Sequence, residues 1–194
     1  MSALLALDVA ILPPSAIGER AAHLSAMLPA GESQGLRLDA DHLPHVTLTQ
    51  QFVRGEDLPD IFESLGEILR AEPPVTLHVP GGGKGAGSVW MVIERTEAIS
   101  RLHARLMDAL HEFECPLGTE SAFVGNDPRE GDLAWVSGYR RKSSFDAFAP
   151  HITLGHAGRP PAVVPLTFEA TTIAACQLGR FCACRQILQR WQLR

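Results

Sequence analysis

The sequence predicts an α+β fold in a single unit spanning residues 1–194, and three observations predict it. Strand-like and helix-like segments alternate along the chain, with no long linker or break in composition between them. Apolar residues are 45% of the 194 and charged residues 20%, which suits a sizeable core and excludes a disordered chain or a long coiled coil. One short pattern occurs twice, as Pro44-His45-Val46-Thr47-Leu48 and Pro150-His151-Ile152-Thr153-Leu154, 106 residues or about half the chain apart.

The elements follow in order. Ala3 to Leu12 reads as a buried strand interrupted by Asp8 and stopped by Pro13-Pro14, after which Ile17, Ala21, Leu24 and Leu28 recur at helical spacing. A polar, Gly-containing passage leads to His45–Val53, where polar and apolar residues alternate as in a strand. Leu58, Ile61, Phe62, Leu65, Ile68 and Leu69 share one face of a helix that ends before Pro73-Pro74. Val75–Val79 and Ser88–Glu94 read as a hairpin across the Gly-rich loop Gly81–Gly87. A helix capped at Thr96 carries Ile99, Leu102, Leu106, Leu110 and Phe113 in one stripe. Gly118–Phe148 reads as irregular, with a short strand at Leu133–Ser137. Ile152–Leu154, Leu166–Thr172, Ile173–Leu178 and Cys184–Leu193 complete the β-rich part.

Composition narrows the function classes. A formal charge of −5 argues against coating long nucleic acid by counterion release, while leaving room for a small or terminal phosphorylated ligand. Four cysteines, Cys115, Cys176, Cys182 and Cys184, contain no C-x-x-C pair and are read as reduced thiols of a cytoplasmic protein. The apolar start is too short to span a bilayer and lacks the features of a signal peptide, so no membrane association is expected.

The repeat carries the chemistry. With eight histidines and nine threonines, a His-x-Thr triplet is expected by chance about 0.4 times, and two copies with flanking Pro, Val or Ile, and Leu are not accidental. In a strand, residues i and i+2 share a face, so each His and Thr point together while the β-branched residue and Leu anchor the other side. Were the two strands adjacent, two imidazoles and two hydroxyls would converge. One imidazole then serves as general base, the other as general acid, and the hydroxyls donate to phosphate oxygens. That set suits metal-free hydrolysis of a phosphodiester.

On these residues the chain resembles the two-histidine (2H) phosphoesterase superfamily. Its LigT-like members are RNA 2′,3′-cyclic phosphodiesterases, also called 2′-5′ RNA ligases. The likeness extends to the opening strand and double proline, to Val89-Trp90-Met91-Val92, to Phe148-x-Pro150-His151 and to Trp191-x-Leu193. It implies two pseudo-symmetric lobes of antiparallel sheet with outer helices and an active-site cleft between them. It also implies His45 and His151 as the catalytic pair, His45 as acid and His151 as base, with Thr47 and Thr153 as phosphate ligands. Two positions depart from the family pattern: His156 stands where an Arg commonly follows the second motif, and Gln50 where an aromatic residue often follows the first.

The expected ligand is an RNA end or small nucleotide with a cyclic phosphate, with no cofactor and no metal, on a monomer. His156, Arg141 in the basic run Arg140-Arg141-Lys142, Tyr139 and Trp135 are candidate substrate contacts, with Phe145 and Phe148 as further stacking candidates. Two alternatives stay open: a non-catalytic module holding a nucleotide or RNA end, and a metallohydrolase using His42, His45, His151, His156 and Asp41. His23, His78, His103 and His111 read as structural or solvated. Cys182-x-Cys184 reads as strand packing.

Overall fold

A computed structural model describes residues 3–194. Its elements are β1 (Leu4–Leu12), α1 (Ser15–Ala26), β2 (Val46–Arg54), α2 (Leu58–Arg70), β3 (Val75–Val79), β4 (Gly82–Lys84), β5 (Ser88–Val92), α3 (Glu97–Ala109), α4 (Glu130–Lys142), β6 (His151–His156), β7 (Leu166–Ala170), β8 (Thr172–Leu178) and β9 (Cys184–Gln192). All named strand pairings are antiparallel. One sheet has the order β2-β1-β8-β9 and carries the first motif; another, β4-β5-β6, carries the second; β3 pairs with β7. The mixed α/β architecture with antiparallel sheets matches the α+β expectation.

Strand alternation divides the first sheet into two faces. Leu7, Val9 and Ile11 of β1 join Leu48 and Ile173 in the main core, packed with Ile61, Leu65 and Leu69 of α2 and with Ile99, Leu102 and Leu106 of α3. The same core takes Met91 and Val89 of β5 and Ile152 and Leu154 of β6, so the two motif-bearing sheets share one apolar interior. The opposite face of the first sheet carries Ala6, Ala10, Ala174, Cys176 and Cys184 together with Phe52 and Leu178, and Phe123 and, from α4, Val136 pack against it. Thr96 caps α3 by accepting the N–H of Ile99, as its position before an apolar stripe predicts. No described helix is long and apolar enough to cross a membrane, and the four cysteines are free thiols.

Two expectations are corrected. The segment read as irregular with a strand at Leu133–Ser137 is helix α4. Its N-terminus is closed by a reciprocal cap in which the Arg129 N–H donates to Asp132 Oδ2 at 2.9 Å, and Asp132 is buried. Its apolar periodicity is weak because its buried positions are Asp132, Val136, Gly138 and Tyr139, two of them polar or without a side chain. The hairpin expected between Val75–Val79 and Ser88–Glu94 does not form: β3 pairs with β7, and part of the Gly-rich run is itself the strand β4, paired with β5. Glycine is required at Gly83, where a Cβ would fall 2.4 Å from Nε1 of Trp90, so the indole lies directly across β4.

Candidate active site

The two motif strands approach each other, and His45, Thr47, His151 and Thr153 all line one cleft of about 1110 Å³. Each strand carries a β-bulge at its motif leucine. In β2 the register steps from Val9↔Thr49 to Ala10↔Thr47 and leaves Leu48 without a ladder partner. In β6 it steps from Val89↔Gly155 to Trp90↔Thr153 and skips Leu154. An extra residue reverses the side-chain alternation beyond it. The residue five positions after each histidine, Gln50 in one strand and His156 in the other, therefore returns to the cleft beside the His and Thr. Both bulges are supported from the core: His103 Nδ1 is 2.6 Å from the Leu48 carbonyl, and the Ser25 hydroxyl donates to the Leu154 carbonyl at 2.5 Å. The two departures from the family pattern are thus equivalent positions in two like strands.

The imidazoles are held alike. His45 Nδ1 lies 2.7 Å from the Leu43 carbonyl and His151 Nδ1 2.8 Å from the Ala149 carbonyl. A carbonyl only accepts, so each Nδ1 carries the proton and Nε2 is the nitrogen left for chemistry. Trp90 packs against His151 with ring centroids 5.1 Å apart. Burial, then the neighbouring His45, lowers the pKa of His151 below the usual imidazole value and favours its neutral form, with the Ala149 hydrogen bond opposing.

The floor of the cleft is where the halves differ. Asp8, fully buried on the cleft side of β1, accepts the Thr47 hydroxyl at 2.9 Å and the Gln50 amide at 2.7 Å through Oδ2, which also lies 3.7 Å from His45 Nε2. Its Oδ1 has no partner. Gln50 Oε1 accepts the indole N–H of Trp135 at 2.9 Å, which ties α4 to the motif strand. Burial pushes the Asp8 carboxyl above its ordinary range, against the attraction of His45 and the two hydrogen bonds. The sequence signal for this group is a charged residue in an otherwise apolar strand.

Other expected contacts divide. Trp135, half exposed, and Tyr139, buried, line the cleft from α4, and Phe148 lines it while stacked on His103 at 3.9 Å. His156 lines it with Nδ1 unpartnered, its proton disfavoured by burial and then by Arg129 and Arg37. Arg141 is exposed on α4 and does not line the cleft; its neighbour Arg140 is engaged by Glu114 and the Met107 carbonyl. Phe145 is also outside the lining. The basic groups that do line it are Arg95 and Arg129, the latter 4.2 Å over the ring of Phe181 and paired with Asp132. Cys182 is not in a strand: with Phe181 it forms a left-handed turn in the cleft wall, at φ of 52° and 66°.

The ligand set His42, His45, His151, His156 and Asp41 is not gathered at one point; His42 turns to Asp39 at 2.9 Å. Among the described residues the one group of three or more potential ligands with atoms within 4.8 Å of one another is Asp8, His45 and Cys184. Burial holds the Cys184 thiol well above its usual range, which disfavours the thiolate that a metal ion would need.

The model of a family described as the 2′-5′ RNA ligase superfamily matches residues 13–181. No curated protein matches the chain. Among solved structures, the chain is similar to TT0787 of Thermus thermophilus, with a TM-score of 0.67 and 17% identity over 98% of both chains. It is also similar to E. coli LigT, in apo form (TM-score 0.64, 20% identity, 99% of both chains) and complexed with 3′-AMP (0.65, 21%, 98% of both). At these identities the likeness concerns the fold.

Proposed function

The chain belongs to the 2′-5′ RNA ligase superfamily, and from that premise we propose that it is a metal-independent phosphodiesterase. It opens 2′,3′-cyclic phosphates on RNA ends or nucleotides, or cleaves a related 2′-5′ linkage, by paired-histidine catalysis. The observation that carries the reading is the convergence of two identically tethered imidazoles on one cleft, each with Nδ1 committed to a backbone carbonyl.

His151, whose neutral form is favoured, takes a proton from water through Nε2 as the water oxygen attacks phosphorus. His45 gives its Nε2 proton to the departing 3′-oxygen as that P–O bond breaks, and the product is a 2′-phosphate. The nucleophile's proton ends on His151 and the leaving group's comes from His45, so the pair exchanges states and is reset through solvent. The Thr153 hydroxyl faces the cleft and donates to a non-bridging oxygen. Thr47 does the same once its proton is released from Asp8. Trp90, Trp135, Tyr139 and Phe181 supply aromatic surface for a base. E. coli LigT is complexed with 3′-AMP, ATP and NADP+ in its structures, which makes nucleotides the first ligands to try.

The test is a panel of 2′,3′-cyclic mononucleotides, RNA with a cyclic end, ADP-ribose 1″,2″-cyclic phosphate and 2′-5′ oligoadenylate, each with and without chelator. Turnover of at least one, unaffected by chelator, is expected. Protection against thermal unfolding with no product from any substrate would establish a binding module instead.

A further inference from the structure

We infer that Asp8 is a positioning residue for this reaction: its sealed carboxyl, 3.7 Å from Nε2 of His45, holds that imidazole's proton and so fixes His45 as the acid. The inference rests on the phosphodiesterase reading for its kinetic consequence, though not for the pairing itself.

The two motifs are otherwise matched in sequence, in bulge, in the carbonyl behind each Nδ1 and in the position, five residues on, that returns to the cleft. Chemistry that needs one acid and one base requires something to break that symmetry. Asp8 is the break. His151 has an indole beside it and no carboxylate within ion-pair distance among the described residues, whereas His45 has Asp8.

The surroundings of Asp8 leave His45 as its counter-charge. Facing it are Thr47 and Gln50 from β2, Tyr139 from α4, Cys182 from the turn before β9, and Cys184 of β9 beside Cys176 of β8. Burial pushes the phenol of Tyr139 and the thiols of Cys182 and Cys184 upward, so these groups stay neutral and offer no positive charge. No Arg or Lys pairs with the carboxyl among the described residues. A buried carboxylate with one oxygen unpartnered is costly unless a cation stands beside it. Asp8 and His45 therefore hold one proton as a unit: removing the charge from either changes the proton affinity of the other, by linkage.

The test compares the full-length protein with Asp8→Asn, which keeps the shape of the carboxyl and removes its charge. The His45 ring is followed by NMR from pH 5 to 9, assigned by loss of its signal in His45→Gln. The midpoint of the His45 titration should fall by about one pH unit in Asp8→Asn, a tenfold change in the proton equilibrium. The basic limb of the kcat profile should move down with it, while KM stays within about threefold. An unchanged midpoint overturns the inference whatever the activity. A lowered midpoint in a protein that turns over no substrate upholds the pairing and removes only the phosphodiesterase reading. Should Asp8→Asn fail to fold, the reciprocal measurement decides. The Asp8 carboxyl carbon should titrate at higher pH in His45→Gln than in the wild type, and an identical titration in the two proteins overturns the proposal.

Discussion

Replacing His103 with Ala probes how the first motif strand is held. His103 is 1% exposed; its Nδ1–H donates to the Leu48 carbonyl at 2.6 Å, its Nε2 accepts the Phe145 N–H at 2.8 Å, and its ring stacks on Phe148 at 3.9 Å and 5°. Truncation strands a carbonyl and an amide in the interior, at about 1 to 3 kcal/mol each, and removes a ring contact of about 0.5 to 1.5 kcal/mol. Water admitted to the cavity re-pairs part of what is freed, so the expected loss is about 3 kcal/mol, within the range for deletions of large buried side chains. His103→Asn restores a donor near the Nδ1 position and should recover about 1 kcal/mol of it. Urea unfolding, read by the midpoint at constant m-value, measures both. A loss below about 1 kcal/mol for Ala, or no advantage of Asn over Ala, would refute the view that the bulge at Leu48 is held through His103.

Other consequences are as direct. Ser25→Ala should cost about 1 to 3 kcal/mol by stranding the Leu154 carbonyl and the Leu38 N–H that the Ser25 hydroxyl serves, measured by the same unfolding curve. Gly118→Ala should destabilise by about 1 to 3 kcal/mol, because its Cβ would fall 2.2 Å from the buried ring of Phe52, whereas Gly31→Ala meets nothing within 4 Å and should be near neutral. Burial lowers the imidazole pKa values of His103, His151 and His156 in the folded state. Their stabilising contribution is present above the unfolded histidine value of about 6.5 and is lost as pH falls through the folded values. Asp8, shifted upward, acts in the opposite sense, and its contribution is lost as pH rises through its folded value. Thermal unfolding from pH 7.5 to 5 should show the histidine trend, and His103→Ala should flatten it. Trp135→Ala removes an aromatic face from the cleft and should raise KM for a nucleotide substrate about tenfold with little change in kcat, since base stacking is worth about 1 to 3 kcal/mol.

What was legible in the sequence was the part governed by period. The β1, α2, β3 and α3 segments follow directly from strand alternation or helical stripes; the structure places the first three within a residue or two of the expected positions and starts α3 after Thr96 as expected, but ends it at Ala109, before Leu110 and Phe113 of the expected stripe. Helix α4 was not legible, since its buried residues are few and include Asp132 and Gly138, which leave no apolar stripe. Nor was the β3–β7 pairing, because a hairpin is the local solution to two nearby strands and only tertiary contact selects a partner about ninety residues away. The His-x-Thr residues stood out because they repeat. Gln50 and His156 reach the cleft through bulges at Leu48 and Leu154 that no alternation pattern reveals, although their equal offset from the two histidines was in plain view. Asp8 was hidden for the opposite reason, as a lone carboxylate whose partners come from β2 and the residue just before it, 37 to 42 residues further along.

The proposed catalysis rests on two histidines dividing one proton-transfer task. Single-turnover rates and nucleotide affinities of His45→Ala and His151→Ala on a 2′,3′-cyclic nucleotide test it most directly. Each variant should lose about 10² to 10⁴-fold in rate while the dissociation constant stays within a few-fold of the wild type. Wild-type turnover in either variant would contradict it.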